Sequence, residues 1–247
     1  FANGMYKLEQ AVILAGGQGT RLRPLTYKNP KPMVLVNGRP FIDYQLDLLQ
    51  KNGIKEVILL VGYLSEKFVD YLDDGFRSGL SVKYSFGGLE PNNGTRLRMA
   101  KNLFNDKFIV INGDIFWPFF DLKKHMEFHE KMGLPVTMTI YDNHRRDGEY
   151  SGSNIEVRDG LIKCYDGGWV IKDRIFNGLD IGYHIIDKST LVTMPKKDFE
   201  LQREFLRPLI DRGLVSGFFT DRPYCTITDI DLLKKAEKLL SSLPFGN

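Results

Sequence analysis

Short unbroken apolar runs alternate with helical stripes through the first half of this chain, and strand-like alternation takes over past residue 120. Residues 11–15, 56–62 and 108–112 carry continuous apolar runs of strand length, the pattern of strands covered on both faces. Between them, residues 41–51 set Ile42, Gln45, Leu46 and Leu49 on one helical face, and Asn52-Gly53 supplies a left-handed stop. Ser65 is the expected cap of a helix through 74, with Phe68, Val69 and Leu72 as its apolar stripe. Residues 33–36 and 81–86 read as strands, and 95–104 as a short helix. Strand, helix, strand at this spacing implies parallel pairing through right-handed crossovers, with ligands at the carboxyl ends of the strands.

The second half predicts a helix over 121–132, then strands at 136–141, 153–157, 161–165 and 181–186, separated by turns such as Arg158-Asp159-Gly160. A helix over 199–212, strands at 215–220 and 224–227, and a final helix to 240 capped by Asp229 complete the pattern. The expected fold is therefore α/β: a Rossmann-like, mostly parallel central sheet flanked by helices, with a mixed or antiparallel second half. No linker or repeat interrupts it, so a single domain over 1–247 is expected, with halves at about 5–120 and about 121–247.

Composition narrows the class. The 247 residues are 43% hydrophobic and 12% aromatic, enough for a sizeable core. A net charge of +3 provides no global basic field, so nucleic acid is not an expected partner. Two cysteines, Cys164 and Cys225, fit a reduced compartment. No apolar run reaches the length of a membrane span and no signal-peptide core is visible, so a soluble cytoplasmic protein without membrane association is expected. Met5 reads as the natural start.

The chemistry concentrates after the first run. Gly16, Gly17 and Gly19 follow Ala15 directly, and from Ala11 to Ile42 there is no acidic residue, while Arg21, Arg23, Lys28, Lys31 and Arg39 are basic. Such a loop turns backbone N–H groups towards one point and lets an anion approach them, which suits phosphate. It is neither the dinucleotide fingerprint, whose third glycine would fall at Leu22, nor a Walker loop, which needs a Gly-Lys pair that the chain lacks.

The stretch from Gly16 to Thr26, Gly-Gly-Gln-Gly-Thr-Arg-Leu-Arg-Pro-Leu-Thr, followed by Pro30-Lys31-Pro32, resembles the signature of the sugar-1-phosphate nucleotidylyltransferases. The likeness is strong over 11–62 and 106–116 and weaker after 145. It implies a GT-A-like fold and transfer of a nucleotidyl group from a nucleoside triphosphate, GTP or UTP, to a sugar 1-phosphate with release of pyrophosphate. The chain is most similar to compact members that activate mannose-, heptose- or aminosugar-type phosphates for surface polysaccharides. By this resemblance Arg21, Lys31 and Asp114 are catalytic, and Asp114 binds Mg²⁺. Leu14, Ala15, Gly16, Gly17, Gly19, Thr20, Gly94 and Thr95 contact nucleotide, while Gly152 and Asp180 contact the sugar. Asp180 also reads as a structural strand-start aspartate, and both readings stay open. A homo-oligomer is possible.

Three departures from the family pattern stand out. Arg96-Leu97-Arg98 follow Gly94-Thr95 where relatives carry small residues. Asp166-Gly167-Gly168 stand where the family's Glu-Lys-Pro is expected. Thr226 takes the place of a second metal-binding aspartate, and Asp229, three residues on, reads better as a helix cap. These departures motivate two alternatives: a regulatory homologue that binds without turnover, or a transferase of the same fold acting on a non-sugar phosphate. His125 and His129, four apart on a helix, read as a solvated or partly packed face rather than a zinc site. Cys164 reads as a core strand residue. Phe116, Trp117, Phe119 and Phe120 read as core or as a dimer surface.

Overall fold

A computed structural model of the chain describes residues 8–73, 79–142, 153–166 and 175–243. It has a mixed α/β fold in two compact units. The first comprises Glu9–Pro91, Ile111–Phe120 and Pro223–Asn247, and the second Asn92–Val110 and Asp121–Arg222, with Phe1–Leu8.

In the first unit, β1 (Gln10–Ala15), β4 (Glu56–Val61) and β5 (Ser81–Phe86) run parallel, with Ala11 opposite Val57 and Val57 opposite Val82. The strands read as doubly covered are so: Ala11, Val12, Ile13 and the run from Val57 to Val61 are fully buried. Two helices, α1 (Phe41–Lys51) and α2 (Ser65–Leu72), make the crossovers between these strands. The buried face of α1 includes Ile42, Gln45, Leu46 and Leu49, and Gly53 stops the helix at φ +84°. Ser65 begins α2 but does not cap it: Leu64 holds the cap position at φ +50°, with no side-chain hydrogen bond. The strand expected at 33–36 shrinks to β2 (Leu35–Val36), which pairs with β3 (Arg39–Pro40). Pro30 and Pro32 bend Lys31–Met33 into a 3₁₀ turn instead, because proline removes ladder donors. Two short strands, β7 (Ile115–Phe116) and β13 (Cys225–Thr226), pair antiparallel, and α6 (Ile230–Ser241) follows, capped by Asp229 through Leu232 N–H at 2.9 Å.

The second unit starts with α3 (Asn93–Met99), shorter than the predicted helix because a separate 3₁₀ turn, Lys101–Leu103, follows it. Strand β6 (Lys107–Asn112) carries the chain back into the first unit. Beyond α4 (Leu122–Met132), the mixed sheet is ordered β11-β8-β12-β10-β9, from β8 (Val136–Asp142), β9 (Ile155–Arg158), β10 (Leu161–Tyr165), β11 (Gly178–Asp187) and β12 (Val215–Thr220). Strand β8 pairs antiparallel with β11 and parallel with β12, as the mixed pattern predicts. The helix expected over 199–212 divides into a π-helical turn, Leu201–Leu206, and α5 (Arg207–Asp211).

The two histidines of α4 are not solvated; both are 1% exposed and hydrogen-bonded to the sheet. The Thr139 hydroxyl donates to the Tyr183 carbonyl and so accepts from His125 Nε2, at 2.7 Å. Lys107 Nζ donates to His129 Nε2 at 2.6 Å, so Nδ1 donates to Thr137, which passes a hydrogen bond to Ser216. Phe116, Trp117 and Phe120 are buried, as a core reading requires. Cys225 is buried, which pushes its thiol up to about 12, and Cys164 is half-buried on β10. No helix among the described residues is long and apolar enough to cross a membrane.

Candidate active site

The glycine loop leaves the end of β1 and closes on itself. Gly19 takes φ +61°, and Leu22 N–H bonds back to its carbonyl at 2.9 Å. The same carbonyl accepts from the buried Thr26 hydroxyl at 2.8 Å, and the Tyr63 hydroxyl holds the Thr26 carbonyl at 3.0 Å. Glycine is required at position 19 on two counts. The left-handed backbone disfavours a side chain, and a Cβ there would sit 3.0 Å from Lys31 Cβ. The loop is thus folded against Lys31. Gly17, Thr20 and Arg21 face solvent, while Ala15 and Gly16 are buried. Arg23 covers the Tyr27 ring at 5.2 Å.

Asp114 reaches the same place from the end of β6. Gly113 N–H bonds the Leu14 carbonyl at 3.1 Å, and a Cβ on Gly113 would come within 2.7 Å of that oxygen and 2.9 Å of Pro32. Only glycine lets the backbone pass so close to β1. Lys31 Nζ then meets Asp114 Oδ2 at 2.5 Å, with side-chain exposures of 15% and 27%. Residues 83 positions apart are joined in one polar centre.

Sequence reasoning missed two supports of that centre. Gln45, taken as one position of an apolar stripe, is fully buried on α1 and donates to the carbonyls of Asn112 (2.8 Å) and Ile115 (2.7 Å), which flank Gly113-Asp114. A polar side chain inside an apolar helical face was the available signal. Thr228 is the other. Its hydroxyl lies 3.4 Å from Asp114 Oδ2 and 2.9 Å from the Thr226 hydroxyl, while Ile227 N–H holds the Asp114 carbonyl at 3.0 Å. A carboxylate accepts only, so Thr228 donates to Asp114 and Thr226 donates to Thr228. Thr226, opposite Ile115 in the β7–β13 pair, thus connects to the centre through Thr228. Asp229 is occupied as the cap of α6.

The remaining sequence candidates belong to the second unit. Thr95 on α3 accepts Phe199 N–H at 3.0 Å, and Asn93 Oδ1 accepts from Gly94 (2.8 Å) and Leu201 (2.9 Å). A Cβ at Gly94 would fall 2.4 Å from the Phe199 ring. Arg96 is buried, which lowers its pKa, and Arg98 donates to the carbonyls of Pro195 and Lys197 and covers the Phe199 ring at 5.4 Å. The segment is therefore packed on residues 195–201.

Gly152 lies outside the described residues. Asp180 sits inside β11 at an irregular register rather than at a strand start. Its Oδ1 accepts from Gly182 N–H and from His184 Nε2, both at 2.8 Å, and its side chain is 6% exposed. His184 is buried, and its Nδ1 has no hydrogen-bond partner. Asn154 binds Asp180 N–H through its side chain (3.1 Å) and Asp166 N–H through its carbonyl (2.7 Å), so the segments of Asp166 and Asp180 meet there.

Among the described residues no cluster of three or more His, Cys, Asp or Glu could hold a metal. Around Asp114 the donors are a carboxylate and two hydroxyls, all hard oxygens, which suits a cation that keeps water and phosphate ligands.

Comparison with known proteins shows what the chain is similar to. The chain is 32% identical over 197 residues to the D-glycero-alpha-D-manno-heptose 1-phosphate guanylyltransferase of Campylobacter jejuni, covering 79% of this chain and 81% of the relative. It is 27% identical to a UTP–glucose-1-phosphate uridylyltransferase of Synechocystis, covering 83% of this chain but 56% of that longer protein. The solved structure of HddC from Yersinia pseudotuberculosis superposes with a TM-score of 0.76 at 25% identity, over 94% of this chain and all of HddC. The nucleotidyl transferase family model matches residues 10–151, a span that holds the glycine loop, Lys31 and Asp114, and the chain belongs to that family.

Proposed function

We propose that the chain is a sugar-1-phosphate nucleotidylyltransferase. An oxygen of the sugar phosphate attacks the α-phosphorus of a nucleoside triphosphate, the bond from that phosphorus to the bridging oxygen breaks, and pyrophosphate leaves with the electron pair. The observation that carries this reading is the 2.5 Å Lys31–Asp114 pair beside a glycine loop. A lysine and a carboxylate brought from distant segments to a phosphate loop are what such a transfer requires.

Positioning and charge stabilisation dominate transfers of this kind. Backbone groups from Ala15 to Thr20 hold the triphosphate, and the exposed Arg21 neutralises the β- and γ-phosphates and then the leaving pyrophosphate. Lys31 exchanges its bond to Asp114 for the α-phosphate and the attacking phosphate, so the charge it now spends internally moves to the reacting oxygens. Mg²⁺ held by Asp114 would polarise phosphate oxygens and offset their developing charge. Asp180, fixed by Gly182 and His184, is the sugar-side acceptor.

GTP or UTP is the donor this reading favours, since the named relatives are guanylyl- and uridylyltransferases. An activated sugar of the heptose type would feed surface polysaccharide synthesis, and a nucleoside triphosphate donor fits the expected cytoplasmic location. The test is pyrophosphate release with Mg²⁺, crossing nucleoside triphosphates with a panel of sugar 1-phosphates. Release in one pairing, lost in Asp114→Asn and Lys31→Ala, is the expected result. Release with non-sugar phosphates alone would move the assignment to that alternative. Silence with retained nucleotide binding would overturn it in favour of a regulatory homologue.

A further inference from the structure

Four residues of a regular strand span about 13 Å, so side chains four apart along one strand do not touch. Asp180 and His184 do, with His184 Nε2 at 2.8 Å from Asp180 Oδ1. A bulge in β11 brings them together. Between the pairs Asp180–Ile140 and His184–Met138, β11 has Ile181, Gly182 and Tyr183 where β8 has Thr139 alone. Gly182 turns the chain at φ +69°, a left-handed conformation open to glycine, and the Thr139 hydroxyl holds the Tyr183 carbonyl at 2.9 Å. Bulges of this kind re-aim side chains beside functional sites.

The pair is buried, with side-chain exposures of 6% at Asp180 and 1% at His184. A carboxylate accepts only, so His184 Nε2 carries the hydrogen. Nδ1 makes no hydrogen bond, and an unsatisfied buried nitrogen is costly. As a packing group an apolar side chain would serve better; what the imidazole adds is its hold on Asp180. The same Oδ1 accepts from Gly182 N–H at 2.8 Å, while Oδ2 accepts from none of the described residues.

We propose that His184 is a positioning residue for the acceptor substrate: with the Gly182 N–H it fixes Asp180 through Oδ1 and leaves Oδ2 to accept a hydroxyl of the sugar 1-phosphate. The inference rests on the transferase reading and on Asp180 as its sugar-side acceptor. His184 itself touches no substrate. Because both oxygens of Asp180 only accept, the substrate must donate there, and a sugar without that hydroxyl is rejected. The bulge makes the preference rigid, since turning Asp180 would break both bonds on Oδ1 at once.

Pyrophosphate release with GTP and UTP against mannose, glucose and heptose 1-phosphates finds the pairing, and monodeoxy analogues of that sugar probe the contact. His184→Leu should raise KM for the sugar phosphate about tenfold and leave KM for the nucleoside triphosphate unchanged. His184→Gln, whose amide nitrogen can reach the place of Nε2, should stay within about threefold of wild type. One deoxy analogue should lose about tenfold or more in kcat/KM with wild type and little with His184→Leu. In an Asp180→Ala background His184→Leu should add less than about twofold, because it acts through that carboxylate. His184→Asn, too short to reach Oδ1, keeps the test open if His184→Leu does not fold.

An unchanged sugar KM in His184→Leu, a rise shared equally by both substrates, or no rescue by His184→Gln would overturn the inference. So would additive losses in the double variant. A sugar KM unchanged in Asp180→Ala would remove the acceptor on which the inference stands and leave the transferase reading intact. No release by the wild type in any pairing would overturn that reading itself, and the inference with it.

Discussion

Each unit contains a polar network inside an apolar surround, and the two are finished differently. Under α4 of the second unit, Lys107, His129, Thr137 and Ser216 form a directed chain that ends on the Val136 carbonyl. Lys107 is also bonded to Asp187 at 2.8 Å and lies 3.3 Å from Glu130. Burial works to raise the Asp187 pKa, yet the hydrogen bond from Lys107 and its charge outweigh it and hold the carboxyl low. At the glycine loop of the first unit, the corresponding lysine and carboxylate are 15% and 27% exposed, little different from the 24% and 30% of Lys107 and Asp187, but an exposed arginine stands in the adjoining turn. A network that runs on from its ion pair into the buried His129, Thr137 and Ser216, with donors and acceptors matched, holds a fold together. One that stands beside an exposed loop, with a cation beyond its own carboxylate, can trade its internal bonds for a ligand.

The sharpest way to break this comparison is by activity. Asp114→Asn or Lys31→Ala should reduce pyrophosphate release by about 10²–10³-fold, the usual loss for a preorganised charge at a transferring group. Thermal unfolding should move little, since neither side chain is deeply buried. A large drop in melting temperature would make the first network structural after all.

Acid should act beside the second network, at the other buried histidine of α4. Full burial lowers the His125 pKa to about 4, below its ordinary 6.5. The unfolded chain therefore takes up a proton that the folded chain refuses. Stability is at its full value above pH 6.5 and declines as pH falls towards 4, by roughly 3 kcal/mol on conversion of the shift to free energy. Chemical denaturation across that window measures it, and His125→Phe should flatten the dependence.

His129→Leu leaves Lys107 and Thr137 short of partners and should cost about 1–3 kcal/mol of stability. Turnover per folded molecule should not change, which a denaturation curve alongside an activity assay would show. Gln45→Leu tests the border between the two kinds of network. It strips the carbonyls of Asn112 and Ile115 of their donor and should cost about 1–2 kcal/mol. Because those carbonyls flank Asp114, turnover should also fall a few-fold, with the larger change in kcat. The smallest effect is expected from Thr228→Val, a shift of at most about twofold in stability constants, since its bond to Asp114 is long.

Much of this layout was written in residue order. The doubly buried runs at 11–15 and 56–62, the stripe of α1, the cap at Asp229 and the mixed pairing past residue 120 follow from local periodicity and capping, which act over a few residues. The loop and its lysine were visible because their spacing is short. The two histidines, read as a solvated or partly packed face, are fully buried, since a period-matched helix face does not reveal that the strands opposite present Thr137 and Thr139. Ser65 failed as a cap because Leu64, in the left-handed region, takes the cap position and no side-chain hydrogen bond closes the turn.

Order along the chain, then, was enough to establish the strands, most of the helices and the glycine-rich, basic loop over residues 16–31. Folding alone settled which groups meet. Lys31 finds Asp114, Thr228 turns to the same carboxylate, and Gln45 clamps the carbonyls on either side, from positions far apart in sequence. Backbone preferences and side-chain period are local properties of the chain. Hydrogen-bond partners across such distances are fixed by strand register, by helix packing and by the glycine at 113 that allows β6 to pass against Leu14.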